Sequence, residues 1–362
     1  MQRNLYTTEF LTGAINRVRP RSNFFSRFFP KTMAVDTDHI LLDESWQSFM
    51  VMPYSLPRSD AVVIKRDGYV TKSFQPAYLK VQEHFDPENY MSRLPGEALG
   101  GSMSPMAREQ LHVMAAMKSH KDMFEERIEQ MCAELATTGK LWIKGKGFEY
   151  CIDLERDSTL QTDAVTGGSW DQEKTDIISQ IEQEADKVLD LSGYATDTIV
   201  MGNRVWGAYR NHPKIQKLLE LRRGVEISTN ITPEKSFYGY SDKGQIGDYR
   251  VIVHTGTYAD PWDRKIKYHF PQNKIMLVSS GISGTKFFGR IKDRECKFKA
   301  IPYFAKLRES NDGSSLNMIS QAAPLVLTKN INAASVRAVL APAQNNKDTI
   351  VGDAKTFQDL VA

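Results

Sequence analysis

The chain has 362 residues, 41% hydrophobic and 25% charged, which is the balance of an ordinary globular protein and enough length for one large domain or two to three smaller ones. Its 47 Lys plus Arg against 44 Asp plus Glu leave a net charge of +3, too even for a chain whose main task is gripping DNA or an anionic membrane. No apolar run reaches the ~20 residues of a membrane span, and Cys132, Cys151 and Cys296 lie too far apart for a CxxC zinc site or a disulfide framework.

Residues 1–55 read as an extended arm. Residues 1–31 carry six cationic side chains against the single acid Glu9. Phe10, Leu11, Ala14, Ile15 and Val18 fall at helical spacing, and Pro20 and Pro30 prevent a long helix. An Arg-rich, acid-poor start is also what an organelle presequence has. The run FFSRFFP favours docking instead, because Phe24, Phe25, Phe28 and Phe29 need a surface to cover them.

Residues 62–85, VVIKRDGYVTKSFQPAYLKVQEHF, read as strand, tight turn, strand, with Asp67-Gly68 as a two-residue turn and Pro76 confining the return strand to an edge or a bulge. The stretch is crowded with Lys, Arg, Gln and Glu, and a lone hairpin is only marginally stable in water. RLPGEALGGS (93–102) is a loop. Ser104 as N-cap, Pro105 in the first turn and Gly139 as stop predict a helix over about 105–138, ~50 Å long. Its apolar line runs through Leu111, Met114, Phe124, Ile128, Met131 and Leu135. The face bearing Lys118, Lys121, Asp122, Glu125, Glu126 and Glu129 reads as solvated, with a subunit contact as the alternative.

A second hairpin follows at 140–154, with Gly145-Lys146-Gly147 at its tip. Beyond it, mixed helices and short strands extend to about residue 310. There is a helix with Ile177, Ile178, Ile181, Ala185, Val188 and Leu189 on one face, a short strand at Ile199-Val200, and a helical region over 205–223 interrupted at Pro213. RRG then ends it with a cationic last turn, Arg222 and Arg223. Strands are expected at 249–255, 274–280 and 285–291, a buried one over 318–328 and another at 336–340. Residues 341–362 read as a loosely held tail.

The chemistry-bearing patterns are weak. There is no Walker A loop, no HExxH and no GxSxG, and GKGFEY has Tyr150 where a dinucleotide fingerprint needs glycine. The seven histidines never pair at i, i+2 or i+4. Asp153, Glu155 and Asp157 could hold Mg²⁺, but with Arg156 between them they read more simply as a polar strand edge. Trp170, Trp206 and Trp262 could be stacking platforms, though such residues are more often core or interface anchors. No catalytic, metal or cofactor site is assigned.

An arm, a polar hairpin, a long helix and an α+β region without chemistry fit a chain completed by its neighbours. Taken in order, YTTEFL, FFSRFFP, FQPAYLK, RLPGEALGG, WDQEK after TGGS, RRG, HTGTYAD, FFGRI and MISQAAPLVLT resemble the major capsid (head) proteins of lambda-like tailed phages, the capsid protein E family, over about 330 residues. The resemblance implies an α+β capsid fold of the Hong-Kong-97 type. It assigns 1–55 to an N-terminal arm, 56–100 to an extended hairpin, the E-loop, 101–155 and 310–340 to a peripheral domain with a spine helix, 156–309 to an axial domain and 341–362 to the tail. It also implies a non-enzymatic shell protein assembling as hexamers and pentamers in the host cytoplasm and residing in the virion. The implied partners are sister subunits, a scaffolding protein, a decoration protein, a portal at one vertex and double-stranded DNA touched non-specifically. The expected interface residues are Phe24, Phe25, Phe28, Phe29, Lys65, Arg66, Asp67, Gly68, Phe74, Tyr78, Arg222 and Arg223. The competing expectation is an organelle-imported α+β enzyme with a cleaved presequence.

Overall fold

A computed structural model describes residues 23–45, 69–86, 104–145, 147–222, 239–262, 265–310, 315–343 and 347–353. The described chain opens with a 3-10 turn at Phe25–Phe28, then β1 (Lys31–Ala34), β2 (Ile40–Ser45), β3 (Tyr69–Phe74) and β4 (Leu79–Phe85). The long helix α1 (Pro105–Thr138) leads into the hairpin β5 (Lys140–Gly145) and β6 (Phe148–Asp153). Then come β7 (Gln161–Thr162), α2 (Ile177–Ser192), β8 (Thr198–Gly202), α3 (Asn203–Asn211), α4 (Pro213–Arg222), β9 (Tyr240–Ile246), β10 (Tyr249–His254), β11 (Thr257–Ala259) and β12 (Lys265–Tyr268). The last strands are β13 (Lys274–Val278), β14 (Thr285–Phe288), β15 (Phe304–Glu309), β16 (Leu316–Ala322), β17 (Pro324–Leu327), β18 (Ala334–Ala338) and β19 (Ile350–Asp353).

Helix α1 forms where its caps predict it. The Ser104 hydroxyl accepts from the Ala107 N–H at 3.3 Å, Pro105 occupies the first turn, and Gly139 closes the helix at φ 70° with its N–H donating to Leu135 O at 2.9 Å. Its buried stripe is Val113, Met117, His120, Phe124, Ile128, Met131 and Leu135. Leu111 and Met114, expected on that stripe, are 46% and 55% exposed. The reason is angular: at about 100° per residue, Val113 lies within ~20° of Phe124 around the axis and Met114 ~80° away. The charged face is corrected more sharply. Lys121 and Glu129 are buried, Glu125 accepts from the Tyr303 hydroxyl at 2.6 Å and Glu126 meets His269 at 2.9 Å, because both flanks of α1 are packed.

The six-stranded sheet has the order β7-β18-β13-β8-β10-β9, with β8 and β10 parallel and β13 antiparallel to both β8 and β18. Alternation divides its side chains between two cores. Val200, Ile252, Met276, Val278 and Val336 join the cluster around α1, whereas Ile199, Met201, Val251, Ile275 and Leu277 join Trp170, Ile177, Ile181, Val205 and Tyr209 of the helical layer on the other face. Three-stranded sheets β1-β14-β17 and β15-β16-β4 flank α1, and β11-β12-β19 forms a third.

Several expected boundaries move. The single strand expected over 318–328 is two strands in different sheets, broken before Pro324, which has no N–H for a ladder. β14 and β15, expected with the 156–309 region, pair with β17 and β16, and β18, expected with 310–340, sits inside the six-stranded sheet. Part of the expected tail is ordered into β19, paired with β12.

Candidate assembly surfaces

The segment after residue 22 is built into the body of its own chain. Phe25 and Phe29 are fully buried and Phe24 is 3% exposed, with Phe28 partly buried against the same cluster. Phe24 packs on Tyr240 and His254, and Phe25 on His254 and Phe270. The expectation that these rings anchor on a sister copy is therefore corrected for Phe24, Phe25 and Phe29: rings with so little exposed surface have none to offer a partner.

Polar groups register the segment. The Glu129 carboxylate accepts from the Phe25 N–H at 2.6 Å, the Ser26 N–H at 2.9 Å and the Ser26 hydroxyl at 2.8 Å. Burial pushes its pKa above the usual carboxylate range against the pull of those donors. Arg27 bonds the Tyr240 hydroxyl and covers its ring. β1 then runs parallel to β14 from Lys31↔Thr285 to Ala34↔Phe288. The Gly284 N–H donates to Phe28 O at 2.9 Å, and any Cβ at Gly284 would overlap the Phe29 ring.

His254, among the arm's aromatic rings, is held neutral by burial and by the neighbouring His269, with its pKa lowered to about 3. His269 contacts Glu126 of α1. Neither histidine was legible as part of a site, because their neighbours come from the arm and from α1, more than a hundred residues away. HTGTYAD was visible as a motif, but its role in cradling the arm was not.

The two parts of the 62–85 stretch are held differently. Its first part, including Lys65, Arg66, Asp67 and Gly68, lies outside the described residues, as does Arg223; Arg222 ends α4. β3 pairs antiparallel with β2, from Ile40↔Phe74 to Ser45↔Tyr69, so residues 46–68 connect these two strands. The ladder that holds β3 thus begins at residue 40. β4 pairs with β16 along seven positions, Leu316↔Phe85 to Ala322↔Leu79, inside the chain's own body. His120 fastens it, reaching Glu83 at 3.1 Å and the Ser320 hydroxyl at 3.0 Å. Phe74 packs against the main core, and Tyr78 bonds Gln321, so these two candidates also serve the subunit that carries them.

The remaining outer surface is unevenly apolar. Met106, Leu111, Met114 and Met123 of α1 are exposed, as are Leu41, Trp142 and Trp262. Of the tryptophans weighed as platforms, Trp170 is a core residue donating to Gln180 at 2.8 Å and Trp206 stacks on Tyr209, whereas Trp262 is half exposed. The three acids are separately engaged, Asp153 with Lys140 at 2.8 Å, Glu155 with Lys72 at 3.1 Å and Asp157 as a cap for Thr159. Among the described residues no cluster of His, Cys, Asp or Glu could hold a metal ion, and no helix is long and apolar enough to cross a membrane.

Residues 7–338 match the family described as Phage major capsid protein E. The chain belongs to that family. Among relatives of this capsid protein, the major capsid protein of Escherichia phage N15 is 25% identical over 334 residues, covering 90% of this chain and 96% of the relative. That of Escherichia phage lambda is 24% identical with the same coverage. The structure is similar to a solved prophage capsid protein from Escherichia coli CFT073, with TM-score 0.70, 23% identity and coverage of 92% of this chain and 99% of that one. It is also similar to a phage-related protein from Bordetella bronchiseptica RB50, with TM-score 0.53, 11% identity and coverage of 94% and 100%. The fold is the α+β Hong-Kong-97-type capsid fold, and this capsid protein is a structural component of the phage head shell, built from copies of itself. Membership in a structural capsid family sets aside the imported-enzyme expectation.

Proposed function

We propose that the chain forms pentamers and hexamers that close into an icosahedral head around double-stranded DNA, assembling in the host cytoplasm. The observation that carries this reading is the β2–β3 ladder. Among the described residues no third strand pairs with it, Leu41 on it is 65% exposed, and its two strands lead into residues 46–68. A two-stranded ribbon of this kind is marginal in water and gains stability from a partner surface. On this reading residues 40–74 are the E-loop and Lys65, Arg66, Asp67 and Gly68 are contacts to the next subunit. α1 with its flanking sheets forms the peripheral domain and the six-stranded sheet with α2–α4 the axial one, carrying Arg222 and Arg223 at an inter-subunit edge. The exposed methionines of α1 are adaptable contacts of the sort that suit a scaffolding protein before the shell matures. A decoration protein on the outer surface and a portal at one vertex complete the head. The even net charge leaves packaged DNA weakly held and free to leave.

Many modest contacts made at once stabilise such a shell, since each added neighbour turns further contacts into intramolecular ones. The test is electron microscopy of the expressed chain beside a variant with residues 46–68 replaced by an Asn-Gly turn. The parent is expected to give closed particles, with a scaffold if one is needed. The variant is expected to keep the parent's circular dichroism and thermal midpoint but stay as small oligomers. Closed shells from the shortened chain would refute the assignment of this segment to the subunit contact.

A further inference from the structure

The segment between β14 and β15 folds into a compact loop whose charges are sorted by direction. Its neck is closed by a bridge between Arg290 and Ala300 and by the Ile291 N–H donating to Lys299 O at 3.1 Å. Ile291 and Cys296 are buried with Phe304 and Ala323, and Tyr78 packs against them. The two acids of the loop are used inward. Asp293 meets Lys306, itself only 3% exposed, at 2.6 Å and accepts from Gln321 at 2.9 Å. Glu295 lies 3.3 Å from Lys306 and 3.7 Å from Arg308. The nearby Asp36 carboxylate accepts from the Ala300 N–H at 2.8 Å.

The cations are left outside. Lys292, Arg294, Lys297 and Lys299 are all exposed, and among the described residues none of the four makes an ion pair. Four unpaired positive charges exceed the +3 of the whole chain, so the loop carries a local positive field that the even overall balance conceals. Phe298 sits among them, 53% exposed. Lys297 and Phe298 have φ of 54° and 56°, left-handed conformations that residues other than glycine seldom adopt and that cost free energy. The backbone thus holds an aromatic ring out among cations instead of adding it to the apolar cluster beneath.

We propose that this loop is where the chain touches the sugar-phosphate backbone of double-stranded DNA, the four cations facing phosphates and Phe298 lying against the minor groove, where apolar side chains meet sugars and base edges. The inference rests on the reading that the shell encloses such DNA, and it locates the contact. Three of the four cations are lysines. Lysine is a point charge that suits sequence-independent phosphate contact, whereas a site for an acidic protein segment favours the bidentate fork of arginine. The loop is already ordered by its buried base, so binding requires little further ordering.

The experiment measures binding of a short fluorescein-labelled DNA duplex by the unassembled full-length chain across a salt series. The parent is compared with a double variant, Lys292→Gln with Lys299→Gln, and a triple variant that adds Lys297→Gln. Each phosphate contact contributes about 0.9 to the slope of log affinity against log salt concentration. The slope is therefore expected to become shallower by about 1.8 in the double variant and about 2.7 in the triple, whatever cations elsewhere in the chain contribute. The double variant leaves both left-handed positions untouched, so it reports even where the triple misfolds. Phe298→Ala should weaken duplex binding about fivefold at an unchanged slope and leave binding of polyglutamate unaltered. A slope within about 0.5 of the parent's in the double variant overturns the proposal. So does polyglutamate that binds as tightly as the duplex and is lost in the same variants, which would assign the loop to an acidic protein segment. Electron microscopy of the same chains under assembly conditions separates this inference from the shell reading. Closed particles with an unchanged slope sink the loop alone, and duplex binding that weakens as expected in a chain forming no particles upholds the loop and sinks the shell.

Discussion

The contact that most directly tests how the arm is held is Glu129 with the backbone of Phe25 and Ser26. In Glu129→Ala the Phe25 and Ser26 N–H groups and the Ser26 hydroxyl lose their acceptor, at 2.6, 2.9 and 2.8 Å. The Phe25 donor is buried, and a buried group left unsatisfied costs about 1–3 kcal/mol. The second N–H and the hydroxyl are half-buried and recover part of their bonding from water. Removing a buried carboxylate also removes its desolvation penalty, which offsets part of the loss. The net cost is about 3 kcal/mol, borne by local opening of the arm rather than by the whole chain. Glu129→Gln keeps one oxygen for the Phe25 N–H and turns an NH₂ toward Ser26, whose hydroxyl can accept; the cost is about half as large.

Hydrogen exchange of peptides spanning residues 23–34 measures this opening. Exchange at β1 and at Phe25 is expected to quicken roughly a hundredfold in the Ala variant and roughly tenfold in the Gln variant, at ~1.4 kcal/mol per factor of ten. Exchange in β13 and β8 should not change. If the Ala variant exchanges within threefold of the parent, burial of the three phenylalanines alone holds the arm and the reasoning fails. If Gln is as damaging as Ala, the charge rather than the number of acceptors is what matters, and the counting above is wrong.

Two further outcomes are expected. Burial and His269 lower the folded pKa of His254 to about 3, whereas an unfolded histidine titrates near 6.5, so below about pH 6.5 only the unfolded chain takes the proton, and stability falls with pH at up to ~1.4 kcal/mol per unit until about pH 3. His254→Gln should shrink the difference between urea unfolding free energies at pH 7 and pH 5 by about 2 kcal/mol; Glu129, with a raised folded pKa, contributes in the opposite sense, stability present below its unfolded value and lost as pH rises. Gly284→Ala places a methyl group into the buried Phe29 ring and should cost about 1–3 kcal/mol or displace the arm, read as a lower urea midpoint together with faster exchange at residues 28–34.

What could be read beforehand divides along physical lines. α1 was legible to the residue because its determinants are local: Ser104, Pro105 and Gly139 act on backbone groups within a turn of themselves. The β5–β6 hairpin was legible for the same reason. The sheets were not, since β18 joins β13 across some sixty residues and β1 joins β14 across some two hundred and fifty, and strand patterns say that a partner exists without saying which. The four phenylalanines declared a need for cover but not whose surface would supply it. Likewise Lys121 and Glu129 look like any solvated pair on a charged helix face. Only the arm on one flank and Tyr303 on the other, where its ring lies 4.5 Å from the Lys121 ammonium, make them interior.

That reassignment changes what assembly has to accomplish. Burying Phe24, Phe25 and Phe29 contributes up to about 1.5–3 kcal/mol each, an upper bound because the unfolded chain is itself partly compact. The Glu129 bonds and the four-residue β1–β14 ladder add to this. Ordering the segment costs backbone entropy, so the rings and the ladder are both needed to hold the base of the arm. The subunit meets that cost itself, before any neighbour arrives. A contact made later by the arm then begins from a fixed point of departure, and less of its interaction energy is spent on ordering chain. If the arm contacts a neighbour as proposed, ordering residues 23–34 adds nothing to the cost of that contact, and several modest contacts made at once can hold a closed shell.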